Sequence, residues 1–469
     1  MDWTRISLLL CVFGFLKEFR PSEPFVTEYL TGPWKNFTEQ QAYQEIYPVG
    51  TYSYLTTLVA VFLLTDFVRY KPVIILCGLA GSCTFIIMIS AQTIWGMEIV
   101  QFFYGLFQAT EVAYYTYIYA KVSKIHYQEV TSHVRMAILL GRFTASVASQ
   151  LIVSFNMLDY GQLIYLTITG IVTATLWTCF LPSVAQSIYF HPPQDSLPSV
   201  SSTHRHRISA SELELEDKQI SNPHQVLENK NLKEVPYETL RAKFRNAYHL
   251  LWRHFLLAYS DFHVLKWSIW WAFATCGYVQ VITYVQLLWQ NSIVEGGKYY
   301  NGAVEASLTI LGALAAFGIG KLKLNWPMVG ETILSFFALM QGSLLVIAAQ
   351  TYSLWLSYIV YILFGVMYQG MITVASSEVA KKLSEDSYGL IFGLNTFLAT
   401  LLQSALTFVV TGGQVLNLTI RLQYLVYGGY FLILGGAFML MAIITIVQNQ
   451  RIGQRFQLWQ VCEDIRRSS

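Results

Sequence analysis

Residues Thr110 to Tyr119 read T-E-V-A-Y-Y-T-Y-I-Y and close an apolar run that extends from about 97 to 120. A run of that length forms a helix able to cross a ~30 Å hydrocarbon core, which takes ~20 residues. An ionised side chain inside such a segment costs at least ~2.5 to 3.5 kcal/mol on insertion scales, so it faces a watery cavity, a partner or a ligand. Glu111 therefore marks a polar path through the protein. Residues three and four apart share a helical face, which places Glu111 with Tyr114, Tyr115 and Ile118. That is an acid with aromatic walls, suited to a small organic molecule.

The rest of the chain repeats the membrane signal. Of 469 residues, 54% are hydrophobic and only 12% charged, about half the charge of an ordinary soluble protein. Apolar runs fall at roughly 5–19, 50–66, 73–91, 97–120, 136–155, 161–181, 267–289, 302–320, 328–349, 353–375, 388–411 and 422–447. The expected fold is thus an all-α membrane protein of about twelve transmembrane helices. The first run ends in Lys17, Glu18 and Arg20 and reads as a short span rather than a cleaved signal, since no basic n-region or small-residue cleavage site accompanies it. The six cysteines (Cys11, Cys77, Cys83, Cys179, Cys276, Cys462) lack paired spacing and read as small core residues.

Basic residues are retained on the cytoplasmic side of short loops. Here they follow alternate spans, as Arg69 and Lys71, Lys121 and Lys124, the central segment, Lys321 and Lys323, and Lys381 and Lys382; Lys35 and Lys298 are the exceptions. Both termini are then expected in the cytoplasm of a multi-pass plasma-membrane protein. The sequons at Asn36 and Asn417 fall on the opposite, glycosylated side.

Between residues 183 and 263 the composition turns to Ser, His, Glu, Asn, Lys and Pro, with a possible amphipathic stretch at Tyr237 to Leu257. This predicts a cytoplasmic linker, disordered in its first part, between a six-helix half at 1–182 and another at 264–447, with a tail at 448–469. The plan resembles the major facilitator superfamily, in which substrates bind near the midplane between two halves. D-F-V-R-Y-K-P at Asp66 to Pro72 resembles that superfamily's gating loop, in which Asp66 and Arg69 would lock the halves; a solvated turn that sets topology is the alternative. Arg135, at the cytoplasmic end of span five, reads as a structural partner of Asp66 or of lipid headgroups.

More specific blocks follow in order: R-P-S-E-P-F from Arg20, T-Y-S-Y-L from Thr51, F-F-Y-G from Phe102, T-E-V-A-Y-Y-T-Y-I-Y from Thr110, W-S-I-W-W-A-F-A-T-C-G-Y from Trp267, Y-N-G-A-V-E-A from Tyr300 and F-G-L-N-T-F from Phe392. With these the chain resembles the reduced folate carrier and thiamine transporter family of vitamin carriers. The resemblance covers nearly everything but the linker and tail. It implies Glu111 and Tyr114 as substrate acid and stacking neighbour; Tyr115, Tyr52, Tyr278, Thr283 and Glu305 are further candidate substrate-binding residues. Folate carriers are expected to carry a base after the F-G-x-N-T-F block, where this chain has Gln403; the tyrosine-rich span four and the Y-N-G-A-V-E-A block look like thiamine members. A carboxylate with tyrosine faces suits a cationic heterocycle, each face contributing ~0.5 to 2 kcal/mol.

Arg142 departs from the thiamine pattern, since an arginine facing the cavity repels a cation, and Val279 and Thr283 replace asparagines. These changes keep reduced folate uptake by anion exchange open, along with another vitamin or a receptor role. A buried pair of Glu111 with Arg142 or Arg135 is the structural alternative for those charges. Glu23, between Pro21 and Pro24, either lines the outer mouth or caps a turn, and Trp267, Trp270 and Trp271 read as an interfacial belt. The chain carries no P-loop, metal-spaced histidines or nucleophile elbow. The expectation is a carrier rather than an enzyme, needing no cofactor and binding no nucleic acid, whose partners are a vitamin, membrane lipid, and protons or an exchanged anion.

Overall fold

Helix starts are written locally. Pro72 and Pro327 occupy first-turn positions, where a missing N–H costs nothing. Asp159 forms a capping box with Gln162, and the Ser353 hydroxyl caps the helix that follows it. The computed structural model describes residues 3–68, 70–122, 126–184, 245, 249, 252–253, 255–292, 299–320, 324–382, 388–411 and 418–451. The first half comprises α1 (Trp3–Glu18), α2 (Val26–Thr31), the short α3 (Glu39–Gln41), α4 (Tyr47–Phe67), α5 (Lys71–Ser90), α6 (Ile94–Lys121), α7 (Tyr127–Ser154) and α8 (Tyr160–Trp177). The second comprises α9 (Phe262–Gln290), α10 (Asn301–Gly320), α11 (Trp326–Gln350), α12 (Leu354–Ala380), α13 (Tyr388–Thr411) and α14 (Ile420–Arg451). With α1 and α2 taken as one broken span and α3 as an end piece, these make twelve spans in two halves, as expected. Eight of the helices are long and apolar enough to cross a membrane by length and composition. Ile86, Leu314 and Ile433 point outward on their helices, as lipid-facing residues do.

Two expectations change, and one exception finds its reason. Lys17, Glu18 and Arg20 do not end the first span. Helix α1 stops at Glu18, the chain turns through Glu23–Phe25 at Pro24, and α2 carries the span on to Thr31, so all three charges are buried mid-span. They can lie there because they neutralise one another. Lys35 breaks the charge rule for a local reason: it donates to the carbonyl of Ile89 at 2.9 Å and to that of Ala91, at the C-terminal end of α5. A helix C-terminus attracts a cation, and burial draws the Lys35 pKa below its ordinary value. The tryptophans of α9 are not a belt. Trp267 and Trp270 are fully buried and Trp271 packs on Phe392 at 4.9 Å, so all three fill the second half's core.

Arg69, Lys124, Lys298, Lys321, Lys323, Asn417, Cys462, nearly all of the linker with its stretch at Tyr237 to Leu257, and the tail beyond Arg451 lie outside the described residues. Asp66 sits in the last turn of α4, and Asn36 is exposed with φ of 56°.

The halves meet at the end away from the termini. Gln286 of α9 donates to the Glu23 carbonyl at 2.8 Å and accepts from the Thr27 amide at 3.0 Å, bridging the break between α1 and α2. Gln290 donates to the Thr31 hydroxyl, and Asn301 donates to the buried Glu28 carboxylate at 2.9 Å. The Gln150 side chain accepts from the Ala303 amide at 3.1 Å. Tyr29, Leu30, Ile46 and Tyr47 of the first half join the same apolar core as Tyr284, Trp289 and Tyr358 of the second. At this end the two halves are closed against each other.

Within the second half α11 and α14 approach closely at small residues. A Cβ at Gly342 would lie 2.8 Å from the Gly428 carbonyl, whereas one at Gly436 meets nothing within 4 Å. Gly342→Ala is expected to destabilise purified protein by about 1–3 kcal/mol in thermal unfolding, and Gly436→Ala to leave stability unchanged or improved. Gln286→Leu removes two hydrogen bonds that close the far end. It should raise the labelling rate of a cysteine introduced at Val26 by about tenfold in membranes; an unchanged rate would show that this amide does not hold the closure.

Candidate functional site

The site grows from the break in the first span. Because α1 ends at Glu18 and Pro24 prevents continuous helix, Lys17, Glu18, Arg20 and Glu23 fan out toward α6 and α7. Glu18 is the hub: its Oε2 accepts from Arg20 at 2.7 Å and from Arg142 Nε at 2.6 Å, and its Oε1 lies 2.8 Å from the Lys17 ammonium. Lys17 donates to Glu111 Oε1 at 2.6 Å, while Glu23 takes Arg20 and the Tyr104 hydroxyl, the latter at 3.2 Å. Ring faces complete the shell, with Lys17 5.7 Å from the Phe107 centroid and 6.0 Å from that of Tyr114, and Arg20 5.4 Å from Phe107. Three bases face three acids.

Toward the space between the halves the network shows its partly open side: Glu111, Glu23 and Arg142 keep 24%, 35% and 49% of their side-chain surface exposed. Tyr115 donates to Glu111 at 3.1 Å and is partly exposed beside it. The second half supplies the opposite wall. Glu305 on α10 accepts from the Tyr361 hydroxyl at 2.8 Å and has no base in contact among the described residues; Arg142 reaches it electrostatically without an ion pair. Tyr278 on α9 stacks on Tyr368 with centroids 3.8 Å apart and planes 7° apart, and it feels both Glu305 and Arg142. Tyr54 of α4 hydrogen-bonds Thr400 of the second half and feels Glu111 electrostatically.

Several residues that the sequence singles out have other occupations. Tyr114 is fully buried and donates to the Leu10 carbonyl at 2.7 Å, fastening α6 to α1 instead of lining the cavity. The Thr283 hydroxyl donates to the Val279 carbonyl of its own helix at 2.7 Å. Gln403 is buried in α13. Tyr52 is half-buried near Tyr284, and Arg135 is exposed on α7 within electrostatic reach of Tyr368. Glu23 opens the turn at Pro24 and also holds Arg20. Glu111 does pair with a base, but that base is Lys17, and Arg142 belongs to Glu18. Lys17 and Glu18 escape sequence reasoning because they close a short apolar run and look like its flank. The segment from Arg20 to Leu30 also carries Glu23 and Glu28, so hydrophobic length gives no signal that the span goes on.

Chemically, the arrangement sets one neutralised charge cluster on the first half opposite one acid without a base among the described residues of the second, beside the second half's stacked tyrosines. It can hold a flat, donor-bearing organic molecule.

A family model described as Reduced folate carrier matches residues 1–426. Thiamine transporter 2 of Macaca fascicularis is 39% identical over 455 residues, covering 96% of this chain and 92% of that protein. Thiamine transporter 1 of Homo sapiens is 39% identical over 464 residues, covering 96% and 91%, and the human reduced folate transporter is 34% identical over 457 residues, covering 96% and 74%. Among solved structures, the POT family transporter PepTSo superposes with a TM-score of 0.64 at 12% identity, covering 96% of this chain and 99% of that one. The nucleoside transporter NupG does so with a TM-score of 0.58 at 14% identity, covering 94% and 99%. At such identities those two speak for the fold alone. Matched by the family model over most of its length and by curated relatives over nearly all of it, the chain belongs to the reduced folate carrier family.

Proposed function

We propose that this chain is an alternating-access vitamin carrier of the plasma membrane that moves thiamine or a related cationic heterocycle between its halves. The observation that carries the reading is the charge balance of the cavity. Lys17, Arg20 and Arg142 are matched by Glu18, Glu23 and Glu111, and Glu305 stands in addition, with no base in contact among the described residues. The excess is acidic, beside the stacked pair Tyr278 and Tyr368. A thiazolium-like cation gains from a carboxylate and from tyrosine faces. The likeness to thiamine transporters 1 and 2 supports the same choice.

Arg142 does not oppose it, because its charge is bound to Glu18. Both termini and the 183–263 linker lie in the cytoplasm on this reading. The halves then extend over 1–182 and 264–447, the closed end faces outward, and Asn36 and Asn417 are available for glycosylation there. Transport draws on a gradient of protons or of an exchanged anion. Asp66, Arg69 and Arg135 would act at the inner gate.

One observation favours a second reading, reduced folate uptake by anion exchange. The terminal nitrogens of Arg142 make no hydrogen bond among the described residues, and half of the side chain faces the cavity.

Uptake of labelled thiamine and labelled reduced folate by cells expressing the chain separates the two. Thiamine uptake is expected, with its KM raised about tenfold or more in Glu305→Gln, the range for a hydrogen bond to a charged group. Folate uptake in its place, abolished by Arg142→Ala, would overturn the substrate choice. With membrane potential clamped, an imposed pH gradient is expected to change the initial rate; a rate indifferent to it removes protons as the coupling ion.

A further inference from the structure

Lys17 is a cation built into the place where a cationic ligand would be expected. Its ammonium lies 2.6 Å from Glu111 and 2.8 Å from Glu18, with the rings of Phe107 and Tyr114 at 5.7 and 6.0 Å. Two carboxylates and two aromatic faces around one nitrogen are the elements by which proteins hold organic ammonium ions. The side chain is only 2% exposed, so the nitrogen comes from within the wall and the cavity sees only the far side of Glu111.

We infer that Lys17 is a specificity-determining residue, an internal cation that masks Glu111 and leaves Glu305 as the acid open to substrate. The inference rests on the cationic-substrate reading above. Masking is asymmetric. Glu18 keeps two further bases, Arg20 and Arg142, whereas Glu111 has, among the described residues, Lys17 alone as a base in contact and Tyr115 as a hydroxyl donor, with Arg142 reaching it only electrostatically. Removing the ammonium therefore leaves Glu18 compensated and turns Glu111 into a second unmatched acid, partly exposed to the cavity. A residue that only fastened α1 to α6 would lose affinity or stability when removed. A masking cation gives the opposite sign, tighter binding of a cation.

The lysine also has somewhere to go. With its nitrogen already between two carboxylates, engagement of Glu111 by a ligand cation leaves Lys17 held by Glu18 without a rotamer change. Substrate binding then swaps one partner of Glu111 for another at little electrostatic cost. This keeps affinity moderate, as a carrier that must release its cargo requires.

The test is thiamine binding to purified full-length protein by radioligand assay, in the unsubstituted chain, Lys17→Met, and Lys17→Met combined with Glu111→Gln. Lys17→Met is expected to bind thiamine about tenfold more tightly, a change of about 1.4 kcal/mol, and the double variant to lose that gain. Binding weakened or unchanged in a folded Lys17→Met overturns the inference while the carrier reading stands. Absence of binding in the unsubstituted chain and in Lys17→Met defeats the cationic-substrate reading and this inference with it. Should Lys17→Met not fold, Lys17→Gln keeps a donor between the carboxylates without the charge, and the same gain is required of it.

Discussion

A carboxylate buried in the middle of a membrane span organises this protein. Glu18 sits at the end of α1, almost without solvent exposure, and holds Lys17, Arg20 and Arg142. Removing one partner of a buried ion pair typically costs ~3 to 5 kcal/mol, because the other is left uncompensated in low dielectric. The cluster must therefore form as a unit, and it dictates where α1 ends, how α6 and α7 lie against it, and which charges remain for the cavity. Close packing supports it. A Cβ at Gly141 would meet the Phe15 carbonyl at 2.5 Å, so only glycine there lets α7 come near enough for Arg142 to reach Glu18.

The contacts that must break during transport are of another kind. At the closed end the halves are joined by amide and hydroxyl hydrogen bonds from Gln286, Gln290, Asn301 and Gln150. Each neutral bond contributes only ~0.5 to 1.5 kcal/mol net, and the one from Asn301 to the Glu28 carboxylate ~1.5 to 3, because water replaces them when the interface opens. The ion network around Glu18 lies within the first half. In the second half the buried pair of Lys266 with Glu331, reinforced by Thr445 at 2.6 Å, ties α9, α11 and α14 together. Costly interactions thus stay inside each half and cheap ones span the interface. That division allows the halves to rock as rigid bodies.

The sequence made the twelve spans legible because hydrophobic length is a strong signal in a membrane protein. It made Glu111, Tyr115, Arg142, Glu305 and Tyr278 legible as polar or aromatic residues within apolar runs, and the structure brings them within contact or electrostatic reach of one another. It misled on Tyr114, because helical spacing places that ring near Glu111 but cannot reveal that its hydroxyl meets the Leu10 carbonyl on a neighbouring helix. The same limit applies to the α9 tryptophans, whose burial depends on what packs against them. Lys17 and Glu18 were hidden because a charged pair after a short run reads as a membrane boundary. Only tertiary pairing makes it an interior.

That pairing decides how a charge inventory should be read. Taken singly, Arg142 argues for an anionic substrate and Glu111 for a cationic one. The contacts reverse the weight of both, since Arg142 is bound to Glu18 and Glu111 to Lys17. What the cavity offers a ligand is the remainder after internal neutralisation. The remainder lies on the second half, at Glu305, backed by Tyr361 and close to the stacked Tyr278 and Tyr368. On the proposed reading, substrate charge is set by the acid or base left unmatched, and Lys17 on the first span moves that position from one half to the other.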